Sequence, residues 1–200
     1  MRNKKFKKKS PSKNRDFINQ EILVNFNAKN NHIVKLFGYF NHKDYIMLSL
    51  EYMNNRDLKH YMKKFHQTHG DENFSELLTG YFIIQVLQAM GYLKFRNILH
   101  RDIKPENVML NNNYVCKLGD FSLSRKIDYS SIFKTSRSGT LPYLPPECVK
   151  KKMNIKSIHC EKLDLFSLGV VMYFMLFNRH PFNYKVISFF IPILEPYDLH

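Results

Sequence analysis

The 200-residue chain contains no G-x-G-x-x-G run, so it lacks the glycine-rich loop that covers nucleotide phosphates. Its three cysteines, Cys116, Cys148 and Cys160, fall at no metal-ligand spacing and cannot all pair, which points to a reducing compartment. No apolar stretch follows the basic start, which excludes a secretory signal. The apolar run from Leu163 to Phe177 is too short to span a bilayer and carries Asp164, the pattern of a buried core helix. Together these absences imply a cytoplasmic or nuclear protein with no membrane partner. Acidic residues are also scarce, 17 against 31 Lys and Arg, for a net charge of +14. Such an excess invites a nucleic-acid reading. Apart from Lys4 to Lys9, however, the cations are spread along the chain, which argues against nucleic acid as the partner.

What is present suffices for one domain, since 44% hydrophobic and 14% aromatic residues can bury a core. One stretch carries most of the chemistry. His100-Arg101-Asp102-Ile103-Lys104-Pro105-Glu106-Asn107, between Ile98-Leu99 and Val108-Met109-Leu110, matches H-R-D-x-K-x-x-N at every fixed position. Specifying that many residues at roughly one in twenty each makes a chance match about one in ten thousand over such a length. Phosphoryl transfer to a hydroxyl needs a carboxylate to receive the alcohol proton, a cation against the γ-phosphate and an oxygen ligand for magnesium. Asp102, Lys104 and Asn107 are those residue types in that order.

A second motif, Leu118-Gly119-Asp120-Phe121-Ser122, follows the β-like run Tyr114-Val115-Cys116-Lys117. Val108-Met109-Leu110, Asn111-Asn112-Asn113 and that run read as strand, tight turn and strand. Such a hairpin sets Asn107 beside Asp120, two oxygen ligands for one metal. Ser122 stands where a glycine would permit φ above zero, which serine adopts only at a cost. Further on lie Ser138-Gly139-Thr140-Leu141-Pro142-Tyr143-Leu144-Pro145-Pro146-Glu147 and Glu161-Lys162-Leu163-Asp164-Leu165-Phe166-Ser167-Leu168-Gly169.

In order and spacing these motifs resemble the protein kinase family: catalytic loop, D-F-G element, end of the activation segment, and large central helix of the C-terminal lobe. Pro145-Pro146-Glu147 takes the place of Ala-Pro-Glu, and Asp164 would brace the catalytic loop from below. The resemblance implies ATP and Mg2+ as cofactors, Asp102 and Lys104 as catalytic residues, and Asn107 and Asp120 as metal ligands. Lys104 and Thr140 mark the serine/threonine class. Leu36-Phe37-Gly38-Tyr39-Phe40 and the run from Gly139 to Glu147 are most similar to the Aurora group.

The same resemblance assigns the upstream part. Tyr45-Ile46-Met47-Leu48-Ser49-Leu50-Glu51-Tyr52-Met53 reads as a strand running into the hinge that clasps adenine. Leu50 would be the gatekeeper, Glu51 and Met53 the hinge contacts, Asp57 the ribose-facing acid, and Met109 the floor beneath the ring. Register places the regulatory-helix acid at Glu21, with Lys4 or Lys5 as its ATP-binding partner. From Ser75 to Lys94, Leu78, Phe82, Ile83, Val86, Leu87, Met90 and Leu93 line one helical face, with Gln85 and Gln88 off it. Arg101 would meet a phosphorylated residue of the activation segment, at Ser136 or, next, Thr135, with Thr140 and Glu147 completing the regulatory set.

The expected fold is therefore α+β, a bilobal kinase-like fold with a partial N-lobe and a partial, mainly helical C-lobe. Residues 1–53 would be N-lobe and hinge, 54–185 C-lobe, and 186–200 an apolar tail without assignment. The chain reads as truncated at both ends. The expected activity is transfer of the γ-phosphate of ATP to Ser/Thr hydroxyls of protein substrates. The alternatives are a pseudokinase serving as a binding or scaffold module, and a non-functional kinase fragment.

Overall fold

Runs rich in aromatic and aliphatic residues and a two-residue connection make a hairpin of β2 (Leu36–His42) and β3 (Tyr45–Leu50), turned at Lys43-Asp44 with Lys43 at φ 49°. β1 (Arg2–Lys7) pairs antiparallel with the other edge of β3, giving the sheet order β1-β3-β2. α1 (Ser12–Phe26) lies against it, with Ile22 packed on the buried cluster of Val34, Leu36, Leu48, Leu50 and Met53. A computed structural model describes residues 2–7, 12–26, 28–70, 72–128, 130, 132–134, 138–149, 154–156 and 160–182. Thr135, Ser136 and the tail 186–200 lie outside them.

The remainder is mainly helical. Asp57 accepts the His60 N–H at 2.8 Å and so caps α2 (Leu58–His69). Ser75 does the same for α3 (Glu76–Phe95), accepting from the Leu78 N–H. α5 (Glu161–Phe177) packs on α3, and Phe82, Val86, Ala89, Leu168, Val171 and Met175 share the largest buried cluster. The architecture is the expected mixture of small N-terminal sheet and helical remainder.

Two expectations about α3 need correction. Leu87 is 41% exposed, whereas Gln85 is only 7% exposed. The reason is a strand rather than a helix: the Gln85 side-chain oxygen accepts the backbone N–H of Cys116 at 2.9 Å, so it is buried under a satisfied hydrogen bond. That N–H belongs to β6 (Cys116–Leu118), which pairs antiparallel with β5 (Val108–Leu110). The second strand thus starts two residues later than the run from Tyr114 suggested, because Tyr114 turns the chain at φ 57° and Asn111 Oδ1 accepts the N–H groups of Asn113 and Val115.

Candidate active site

The segment after β4 (Ile98–Leu99) is held by one buried carboxylate. Asp164 accepts the His100 N–H at 2.7 Å on one oxygen and the Arg101 N–H at 2.8 Å on the other. Burial pushes its pKa up, against the pull of His100, Arg101 and those two N–H groups. Held this way, Arg101 adopts φ 69°, and the chain turns so that Asp102 follows immediately. His100 is itself fully buried, with Nε2 3.0 Å from the Gly119 carbonyl and its ring edge-on to Phe121 at 4.9 Å. The loop and the segment 119–121 are therefore one packed unit.

Four side chains then close on one another. Asp102 Oδ2 lies 2.7 Å from Lys104 Nζ, which donates to Thr140 Oγ1 at 2.7 Å, and the Thr140 hydroxyl donates to Asp102 Oδ1 at 2.8 Å. Asn107 Nδ2 donates to the Asp102 carbonyl at 2.8 Å and to Oδ2 at 2.9 Å. Thr140 can reach in because Gly139 sits at φ 122°, where a Cβ would stand 2.6 Å from the Arg101 carbonyl oxygen. Spending the Asn107 amide nitrogen on Asp102 leaves its Oδ1 as the atom free for a cation.

Lys4, on β1, places its ammonium 2.9 and 2.7 Å from the two oxygens of Glu21 on α1 and 2.9 Å from Asp120 Oδ1. Lys5 is exposed and is not the lysine at this site. Burial raises the Glu21 pKa despite Lys4. Asp120 is partly desolvated too, but the Lys4 charge and the Ser122 hydroxyl hold it below the usual carboxylate value. Ser122 does not adopt φ above zero; Asp120 does, at 59°, and the Ser122 hydroxyl donates to Asp120 Oδ1 at 2.7 Å. In this conformation position 122 makes no use of the backbone freedom a glycine would bring.

The residues expected to face a nucleoside lie as follows. Leu50 ends β3 and is buried; Met109 of β5 packs against the same apolar cluster. Glu51 and a buried Met53 follow outside any strand or helix, and Asp57 bridges to Met109 as well as capping α2. Arg101 lines a small cavity with Ser138, Leu144, Pro145 and Cys148. Glu147 is in the first turn of α4 (Pro146–Val149). One contact escaped sequence reasoning: Lys117 Nζ meets the Glu51 carboxylate at 2.8 Å, tying β6 to the segment after β3. No signal in the sequence pairs those two residues.

A divalent ion fits this donor set. Asn107 and Asp120 supply oxygen only, and among the described residues no group of three or more His, Cys, Asp or Glu could hold a metal alone. That is the pattern for Mg2+, which takes one or two protein oxygens and completes its shell with phosphate and water.

The sequence profile of the protein kinase domain matches residues 1–189, and the chain belongs to that family. It is similar to the Aurora kinase of Schizosaccharomyces pombe, 36% identical over 166 residues, covering 83% of this chain and 43% of that protein. The Aurora kinase of Encephalitozoon cuniculi is 35% identical over 168 residues, covering 84% and 57%. Aurora kinase A-B of Xenopus laevis is 33% identical over 166 residues, covering 83% and 38%. The chain thus spans about two fifths of the length of the first relatives it matches. No helix among the described residues is long and apolar enough to cross a membrane.

Proposed function

We propose that this chain is the catalytic part of a serine/threonine protein kinase. The observation that carries the reading is the closed ring of Asp102, Lys104, Thr140 and Asn107, with the Lys4, Glu21 and Asp120 cluster as its counterpart from β1 and α1. Mg·ATP, when bound, supplies the phosphoryl group. Asp102 orients a Ser or Thr hydroxyl and receives its proton, while Lys104 neutralises charge developing beside it. Asn107 and Asp120 hold the metal and Lys4 the phosphates, with Glu21 keeping the Lys4 ammonium in place. Leu50, Glu51, Met53, Asp57 and Met109 form the nucleoside site. Arg101 takes a phosphate on Thr135 or Ser136, and Thr140 and Glu147 shape the substrate-facing end of the activation segment. The finer match to Aurora names and Lys104 favour Ser/Thr over Tyr.

Incubation with γ-labelled ATP, Mg2+ and a mixed peptide library tests this. Labelled phosphoserine and phosphothreonine are expected; label on tyrosine alone, or on nothing, contradicts the reading.

A further inference from the structure

α3 keeps one face that the described residues leave open. Leu77, Tyr81, Ile84, Gln88, Gly91 and Phe95 are all exposed, at spacings of four, three, four, three and four residues along the helix. That alternation averages three and a half residues, the period of a seam between two helices. The large apolar members stand 87% open at Leu77, 46% at Tyr81, 58% at Ile84 and 83% at Phe95, and no charged residue lies between Glu76 and Lys94. Aromatic side chains carry about 150–250 Å² each, so with the outward Leu87 beside them these residues present on the order of 500 Å² of apolar surface. Two such stripes face to face would bury about 1,000 Å², the area at which specific interfaces begin.

The stripe complements itself when reversed. A two-fold axis passing at Val86 sets Leu77 opposite Phe95, Tyr81 opposite Gly91 and Ile84 opposite Gln88 of a second copy. Gly91 is the residue that the described packing does not explain. A glycine inside a helix weakens it relative to alanine, yet a Cβ built at Gly91 meets nothing within 4 Å. Set against Tyr81, that missing side chain is the space the ring needs. Charge agrees with the same axis, which brings the exposed Glu76 against the exposed Arg96 at both ends. Parallel pairing would instead oppose Glu76 to Glu76 and Tyr81 to Tyr81, a repulsion and a collision.

We infer that a second copy of this chain docks antiparallel along the outer face of α3, forming a two-fold dimer in which Tyr81 of each copy seats at Gly91 of the other. α3 leads through β4 into the Asp102 loop, so the two loops lie at opposite ends of a paired helix about 30 Å long. The inference is independent of the kinase reading.

Sedimentation equilibrium of the 200-residue chain tests it, in about 0.15 M salt so that the net charge of +14 is screened. A reversible monomer–dimer equilibrium is expected, with a dissociation constant of about 10–100 μM. Ile84→Lys, beside the axis, should weaken it at least about tenfold by forcing two ammonium groups into the seam. Gly91→Gln fills the space that Tyr81 takes but suits a helix better than glycine, so it should weaken the dimer about tenfold while raising the melting temperature. That pair of readouts keeps a folding defect from imitating the result. Mixed Leu77→Cys and Phe95→Cys chains should cross-link under mild oxidation, and neither should do so alone. A chain that stays monomeric up to about 500 μM overturns the inference. So does a dimer undiminished by either substitution, cross-linking of Leu77→Cys with itself, or a dimer that is lost when residues 186–200 are removed.

Discussion

Asp164 shows how much one side chain carries. Its two oxygens each satisfy a backbone N–H, of His100 and of Arg101, on a buried side chain. Replacement by Ala would strand both donors, at about 1–3 kcal/mol each. Asp164→Ala should therefore lower the urea unfolding free energy by about 3 kcal/mol, with Asp164→Asn, which keeps one acceptor, falling between; an unchanged midpoint would contradict this bracing role. At this scale the sequence was most legible where chemistry dictates residue type. That Asp102, Lys104 and Asn107 meet was readable because their spacing sets a carboxylate, a cation and an amide on one short loop. The backbone from Asp120 to Ser122 was less legible: the left-handed residue is Asp120, whose carboxylate accepts the Ser122 hydroxyl, and the residue types alone do not say where along the segment that conformation falls.

Among elements, α3 is the instructive one. Its extent was legible from the apolar positions between Leu78 and Leu93, and in the structure Ser75 caps it where that reading begins. Its buried face was less so. A helix touched by both α5 and the β5–β6 hairpin is covered on more than one side, and periodicity alone cannot tell which polar residue will meet a strand's N–H. Gln85 does, and Leu87 turns outward. Gln85→Leu should leave the Cys116 N–H unpaired, costing about 1–3 kcal/mol. Hydrogen exchange at Cys116 should accelerate more than at Val86 within the helix; equal protection in mutant and parent would show that this bond does not hold the hairpin.

Across the whole molecule, the sheet end and the helical end are joined at a few points. Ile33 bridges to Leu118, Asp57 to Met109, Lys117 to Glu51, and Lys4 to Asp120. Their pairing is tertiary, and the sequence pairs none of these partners; register with a known family set Lys4 or Lys5 only against Glu21, within the sheet end. These links bring β1 and α1 to the same place as the Asp102 loop, and the proposed phosphotransfer depends on that meeting. The most direct test compares the parent chain with Asp102→Asn in a labelled-phosphate assay on Ser/Thr peptides with Mg·ATP. The side chain keeps its size but cannot receive the hydroxyl proton, so transfer should fall by about a hundred- to ten-thousandfold while Mg·ATP binding persists. Equal transfer by the two proteins would contradict the account.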